Sequence, residues 1–236
     1  MREMAPAAEA IVVAATTAEV LAAVPEAQRQ RLLTDGERAR AAAFHFDHDR
    51  DDFVAAHVLA RGCASSVLDA PLHELTWRQR CPECGGPHGR PTIAEAPHLG
   101  VSLAHARGHV AAAAAPGVIG VDIEPVQRGR RTRELAPSVL SHPEMRAVDT
   151  APDPDVAFLR QWVRREALIK VGALTLDTLL TVDLSQLPPG EPAGGWAAHD
   201  WGRYVLADWR SGPALGAVAA YRPARLRPLA SVLPPG

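Results

Sequence analysis

Apolar residues alternate along some stretches of the chain and recur at helical spacing along others. Alternating or continuous apolar runs predict strands, and apolar residues at i, i+3 and i+4 predict helices. Glycine and proline dominate 81–98, which predicts an irregular loop. The predicted strands are 10–15, 101–105, 110–114, 118–124, 176–184, 203–209 and 214–221, and the predicted helices are 18–33, 37–68 (one helix or two) and 153–172.

The order of these elements divides the chain into two comparable halves, 1–116 and 117–236. Each half reads as helix followed by antiparallel strands, which predicts an α+β fold. The helix of the second half has recognisable ends, since Asp153 suits the N-cap, Pro154 the first helical position and Gly172 the stop.

Strands 101–105, 110–114 and 118–124 are joined by short turns, which predicts an antiparallel meander. In the last strand, alternation places Asp122 and Glu124 on one face. In an up-down-up meander His105 would lie at the same edge, about 10 Å away. Neighbouring carboxylates repel unless a cation or proton lies between them, so a hard divalent metal is one explanation. A solvent-facing strand with alternating acids is the other.

The helix predicted over 153–172 has charged residues on or beside its apolar stripe. Phe158, Trp162, Glu166 and Lys170 follow one another at four-residue intervals. A carboxylate and an ammonium partly inside a core are costly unless they are paired or used. Glu166 is therefore either a third metal-directed acid or half of a structural ion pair.

Lys170 is the single lysine of the chain, against 24 arginines. Lysine offers a compact point charge that can sit against one phosphate oxygen, whereas arginine offers a broad, rigid fork. The retained lysine indicates phosphate chemistry. The alternative is a helix-surface pair with Glu166, which contributes about 0.2 to 0.5 kcal/mol.

Composition narrows the classes of function. The 236 residues are 47% hydrophobic, which is ample for a globular core. The net charge of −2 gives no electrostatic case for nucleic acid or anionic membrane, despite arginines within 128–133. Three cysteines, an odd number, argue against a secreted disulfide framework. We expect a cytoplasmic monomer without a nucleic-acid or membrane partner.

Two of the cysteines form a CxxC pair, Cys81 and Cys84, with His88 nearby. A structural zinc site needs four ligands, so Cys63 or His98 would have to complete the set. No complete set is apparent in the sequence, and we expect no bound zinc.

The segment 120–124 (GVDIE), followed by 162–170 (WVRREALIK), resembles the GxDxE and WxxKExxxK motif pair of 4′-phosphopantetheinyl transferases. The resemblance is to the long, surfactin-synthetase-activating type. Upstream, Gly89-Arg90-Pro91 resembles its GKP element, 102–106 its xSHS element, and 44–61 its helix ending in an arginine near the coenzyme A phosphates. The resemblance implies two similar lobes in pseudo-two-fold symmetry, with coenzyme A and magnesium in the cleft between them.

What the resemblance implies is magnesium-dependent transfer of phosphopantetheine from coenzyme A to a serine of an apo carrier protein, releasing adenosine 3′,5′-bisphosphate. The carrier would belong to a polyketide, non-ribosomal peptide or fatty-acid synthase. Asp122, Glu124 and Glu166 would hold Mg²⁺, with Asp122, Glu166 and Lys170 as the catalytic residues. Glu166, directly or through a metal-bound water, could accept the serine proton. The residues assigned to coenzyme A are Arg40, Arg61, Gly89, Arg90, Pro91, Ala104, His105 and Lys170.

Three departures from the family pattern leave alternatives open. Arg165 replaces the first lysine of the second motif, Ala104 and Ala106 replace the serines beside His105, and Asp52 stands where relatives often carry arginine. The alternatives are a catalytically weak or silent protein of the same fold that binds coenzyme A or a carrier, and an unrelated Mg²⁺-dependent phosphohydrolase.

Overall fold

The computed structural model of the protein describes residues 9–81, 84–86, 89–127, 130–188 and 196–233, with no side-chain description at 130–133. Two four-stranded sheets and one two-stranded sheet lie within these residues. The strands are β1 Ala10–Thr16, β2 Trp77–Gln79, β3 Pro91–Ile93, β4 Leu99–Ala106, β5 His109–Pro116, β6 Ile119–Pro125, β7 Trp196–Trp201, β8 Tyr204–Ser211, β9 Ala214–Ala220 and β10 Ala224–Leu226. The α-helices are α1 Thr17–Ala23, α2 Glu26–Leu32, α3 Asp35–Ala42, α4 Asp47–Leu68, α5 Arg130–Val139, α6 His142–Asp149 and α7 Pro154–Lys170.

The main elements stack as helix, sheet, sheet, helix. The first sheet has the order β10-β1-β5-β4 and the second has the order β6-β9-β8-β7. Helix α4 packs on the outer face of the first sheet and α7 on that of the second. The inner faces meet in an apolar layer that includes Val12, Ile123 and Trp209. The α+β fold class is confirmed, and the pseudo-two-fold relation stays a prediction.

The short C-terminal strand β10 pairs in parallel with β1, so the chain returns to the first sheet after completing the second. Within the described residues, no helix combines the length and apolarity that a membrane span requires.

The predicted meander is wrong in its third strand. Strands β4 and β5 pair as expected, but β6 pairs with β9. The turn at Gly117 sends the chain into the other sheet: a Cβ on Gly100 would lie 2.0 Å from the carbonyl oxygen of Gly117, so the two segments cross at close range. Strand β6 nevertheless lies beside β4, as the hydrogen bond from the Val121 amide to Ser102 Oγ shows, at 3.0 Å.

Other predicted elements change in type or number. The helix predicted over 18–33 is two helices, since Pro25 takes the N-cap of α2 and has no amide hydrogen to continue α1. Residues 176–181, within a predicted strand, form a 3-10 helix begun by a Thr175 and Thr178 capping box. Helices α5 and α6 and strands β2, β3, β7 and β10 were not predicted.

Three arginines of α7 lie in the interior. The Arg165 guanidinium contacts Glu144 of α6, and Arg160 and Arg164 both contact Asp208 of β8. Each of the five side chains is at most 4% exposed. Because breaking a buried pair leaves an uncompensated charge, these contacts fix the orientation of α7 against α6 and the second sheet.

A second buried charge cluster joins α3 to α4. Glu37 lies 2.6 Å from Arg61 Nη2 and 2.6 Å from His57 Nδ1. Burial alone would raise the pKa of Glu37, but His57 and Arg61 outweigh it and lower the pKa from 4.5 to about 2.

We expect Glu37→Gln to lower the free energy of unfolding by about 3 to 5 kcal/mol at neutral pH, because Arg61 is left charged and unpaired. The folded pKa of Glu37 lies below its unfolded value, so its contribution is full above pH 4.5 and is lost as the pH falls toward 2. Urea unfolding at pH 7 and pH 3 should therefore show a difference from wild type that narrows in acid. Asp51→Asn, in a half-exposed pair with Arg50, is the control with little expected change. An equal deficit at both pH values would contradict the assignment.

Candidate functional site

The candidate site lies where α7 crosses the edge strand β6. Gly120 allows the crossing, because a Cβ there would lie 2.4 Å from the carbonyl oxygen of Ala167 and 2.8 Å from the Cβ of Lys170. Any larger side chain would move α7 away from β6. The glycine of the GVDIE segment is thus explained by close backbone approach.

Lys170 joins the helix to the strand. Its ammonium donates to Asp122 Oδ1 at 2.8 Å and to the carbonyl oxygen of Val121 at 2.8 Å. Its side chain is 30% exposed and that of Asp122 is 10% exposed. The partner of Lys170 is therefore Asp122 on β6, rather than Glu166 one turn away, and the simple helix-surface pair is wrong.

Three carboxyl groups share this environment, and each has a raised pKa. Burial raises the pKa of Asp122, although Lys170 opposes the rise. Burial and the charge of Asp122 raise the pKa of Glu124 to about 7, against the effect of Lys170 and Arg107. Burial and Asp122 also raise the pKa of Glu166. The three acids therefore lie close enough to resist simultaneous ionisation.

The described residues include no group of three histidine, cysteine or acidic side chains already arranged to hold a metal ion. The donor set nevertheless fits a hard cation. Asp122 Oδ2 is buried and has no hydrogen-bond partner among the described residues, and the charge of Asp122 raises the pKa of both glutamates. A divalent cation with oxygen ligands would satisfy that oxygen and relieve the repulsion.

A cavity of about 310 Å³ opens beside Lys170, and the whole Gly89-Arg90-Pro91 segment forms part of its lining. Gly89 has φ +103°, a value that favours glycine, and its carbonyl oxygen accepts from Gln79 Nε2 at 2.7 Å. The Arg90 guanidinium donates to the carbonyl oxygen of Lys170 at the end of α7, where a cation is favourable. The cavity is lined by Gln79, Gly89, Arg90, Pro91, Val101, Ser102, Leu103 and Lys170.

A smaller recess of about 40 Å³ shares Gln79 with this cavity and includes Arg40 and Phe53. The Arg40 guanidinium carbon lies 5.4 Å from the centre of the Phe53 ring, and the His105 ring lies 6.3 Å from it. Desolvation lowers the pKa of His105, and the charges of His57, Lys170 and Arg40 lower it further, while Asp52 opposes them. The structure thus brings Arg40 and His105 together around Phe53.

Two residues that the sequence assigned to coenzyme A, Arg61 and Ala104, are buried and line neither the cavity nor the recess. Arg61 is 1% exposed, paired with Glu37, and its guanidinium carbon lies 4.3 Å from the Trp77 ring centre. Ala104 is 7% exposed in the apolar layer between the sheets. Contact of either residue with coenzyme A stays a prediction.

Two departures from the family pattern have structural explanations. Arg165 is buried against Glu144, so this position stabilises α7 and does not face the cavity. Asp52 is 2% exposed and accepts hydrogen bonds from the Gly108 amide and the Thr17 hydroxyl. It holds the β4–β5 turn, where Arg107 and Gly108 both have positive φ.

The sequence assigned no individual role to three residues near the site: Gln79, Arg107, and Ser102, which is the variable first position of the 102–106 element. Ser102 is a buried polar residue in an apolar strand, and that contrast is the one signal that could have singled it out. Gln79 and Arg107 carry no local signal, because their positions depend on contacts between distant segments.

Cys81 and Cys84 are not joined by a disulfide. The Gly85 amide donates a hydrogen bond to the Cys81 carbonyl oxygen, 2.9 Å long. His88 lies outside the described residues, and the absence of zinc stays a prediction.

Comparison with family models identifies the second sheet and its helix. Residues 118–221 match the 4′-phosphopantetheinyl transferase superfamily. The matched segment begins one residue before β6 and ends one residue after β9, and so contains Asp122, Glu124, Glu166 and Lys170. Comparison with curated proteins finds no match. The match covers less than half of the chain, and phosphopantetheine transfer is the activity in the name of the matched superfamily.

Proposed function

We propose that the protein transfers the 4′-phosphopantetheine arm of coenzyme A to a serine hydroxyl of an apo carrier protein, with release of adenosine 3′,5′-bisphosphate. We also infer that it is of the long, surfactin-synthetase-activating type. The upstream segments that resemble this type, including Gly89-Arg90-Pro91 and the strand that carries His105, lie against the matched domain around Lys170.

The observation that carries the proposal is the grouping of three mutually repelling carboxyl groups around one ammonium at the rim of a cavity. Asp122, Glu124 and Glu166 have raised pKa values, and Lys170 contacts Asp122 while lining the cavity. Perturbed ionisable groups in a cleft are typical of catalytic sites. A solvent-facing strand with alternating acids would show neither the burial nor the ion pair.

The residues of the chain support two chemical tasks. Lys170 supplies a compact positive charge, suited to one phosphate oxygen of the coenzyme A pyrophosphate. Glu166 can accept the proton of the attacking serine, because a raised pKa makes a carboxylate a stronger base near neutral pH. Asp122 orients Lys170 through the 2.8 Å contact.

Asp122, Glu124 and Glu166 would hold Mg²⁺, which when bound would neutralise negative charge on the pyrophosphate. Arg40, Arg90 and His105 would bind the nucleotide end of coenzyme A. Arg90 lines the cavity and Arg40 the recess, and the exposed His105 ring lies 6.3 Å from the Phe53 ring of that recess.

The alternative of a silent coenzyme A-binding protein rested on Asp52, Ala104 and Ala106. In the structure the Asp52 carboxylate accepts a hydrogen bond from the Gly108 amide in the β4–β5 turn, so its charge is compensated locally. We therefore favour the active transferase.

The test is to incubate the protein with coenzyme A and Mg²⁺, with and without apo carrier proteins, and to identify the nucleotide products. The proposal expects adenosine 3′,5′-bisphosphate only when a suitable apo carrier is present. Binding of coenzyme A without product would favour the silent protein. Release of phosphate from nucleotides without a carrier would favour the phosphohydrolase.

A further inference from the structure

Two side chains form hydrogen bonds to backbone groups on the edge of β6 that faces away from β9. Strand β6 is the outermost strand of its sheet, so alternate backbone groups have no neighbouring strand to bond. At Val121 both such groups are satisfied: the amide donates to Ser102 Oγ at 3.0 Å, and the carbonyl oxygen accepts from Lys170 Nζ at 2.8 Å. One residue of β6 therefore links Ser102 to Lys170.

Ser102 lines the same cavity from the first sheet. It lies on β4 in the first sheet, is 6% exposed and lines the cavity together with Lys170 and Arg90. Strands β4 and β6 are in different sheets, so no backbone ladder fixes their relative position. The hydrogen bond from the Val121 amide to Ser102 Oγ joins the two strands beside Lys170 and Asp122.

We propose that Ser102 is a positioning residue for phosphopantetheine transfer, which acts by holding Val121 and thereby the ammonium of Lys170 and the carboxylate of Asp122 in register with the cavity. The inference rests on the proposed function for its kinetic part. The contact itself is independent of that function.

Lys170 can be probed directly by amine labelling, because it is the single lysine of the chain. An amine reagent such as trinitrobenzenesulfonate modifies one side chain, and peptide mass mapping separates that product from the N-terminal amine. The labelling rate reports how firmly the ammonium is held, whether or not transfer occurs.

The experiment compares Ser102→Ala with Ser102→Thr, which keeps the hydroxyl. Ser65→Ala is the matched control, because Ser65 also makes one side-chain hydrogen bond to backbone, at 2.6 Å to the carbonyl oxygen of Ala70, and lies outside the cavity. Because Ser102→Ala loses one hydrogen bond, we expect the reagent to label Lys170 about three- to tenfold faster in this variant than in wild type. We expect kcat to fall by a similar factor, with the KM for coenzyme A little changed. Ser102→Thr and Ser65→Ala should resemble wild type in both measurements.

Unchanged labelling of Lys170 in a folded Ser102→Ala variant would overturn the inference. So would a loss of kcat that Ser102→Thr does not restore at normal thermal stability. If wild type and all variants fail to transfer the arm, the proposed function fails, and the labelling rates still decide whether Ser102 positions Lys170.

Discussion

Asp122→Asn and Glu166→Gln are each expected to lower turnover by at least about tenfold, which corresponds to about 1.4 kcal/mol in the barrier. Asparagine keeps the shape of Asp122 but removes the charge that Lys170 contacts through Oδ1. It also replaces the buried Oδ2, which has no hydrogen-bond partner in the part of the chain that the structure describes and is suited to a metal ion. Glutamine at 166 removes the carboxylate that would accept the serine proton.

The measurement is the initial rate of transfer to an apo carrier over a range of Mg²⁺ concentrations, with Mg²⁺ affinity measured in parallel by calorimetry. Asp51→Asn, an acid of α4 paired with Arg50, is the control and should keep the wild-type rate. Wild-type turnover in both site variants, with the fold intact, would contradict the metal and base assignments.

Lys170→Arg is expected to impair transfer even though the formal charge is kept. The ammonium makes two contacts of 2.8 Å, to Asp122 and to the Val121 carbonyl oxygen, from a helix that crosses β6 closely at Gly120. The longer, planar guanidinium cannot reproduce both contacts in that space and still present a point charge to a phosphate. We expect a loss in kcat/KM of about tenfold or more, the scale of one misplaced charge-assisted hydrogen bond.

Thermal unfolding is the control for this variant: impaired transfer at the wild-type unfolding temperature would separate a role in the reaction from a loss of the fold. Transfer by Lys170→Arg at the wild-type rate would remove Lys170 from the mechanism. The single lysine would then be an accident of composition.

The sequence predicted the two faces of β6 and the start of α7 better than the pairing of the strands. Alternation in 118–124 placed Asp122 and Glu124 on the face opposite to Ile119, Val121 and Ile123, and the structure confirms this, because the apolar side lies in the layer between the sheets. Helix α7 begins at Pro154 after the Asp153 cap, as the cap and proline predicted.

What the sequence could not predict depends on distant partners. Strand β6 pairs with β9, far downstream, and no local pattern indicates which strand an edge will find. The arginines of α7 are buried because Asp208 and Glu144 meet them, whereas from sequence they resemble a solvated helix face. The partner of Lys170 is likewise Asp122 across a crossing that only Gly120 permits.

The most direct test of the transferase assignment is the intact mass of an apo carrier protein after incubation with this protein, coenzyme A and Mg²⁺. Our account predicts a mass increase equal to one phosphopantetheine group, located on the carrier serine by fragmentation and absent when Mg²⁺ is chelated or Asp122→Asn is used. A carrier mass that stays unchanged across polyketide, peptide-synthetase and fatty-acid carriers, with coenzyme A intact, would contradict it.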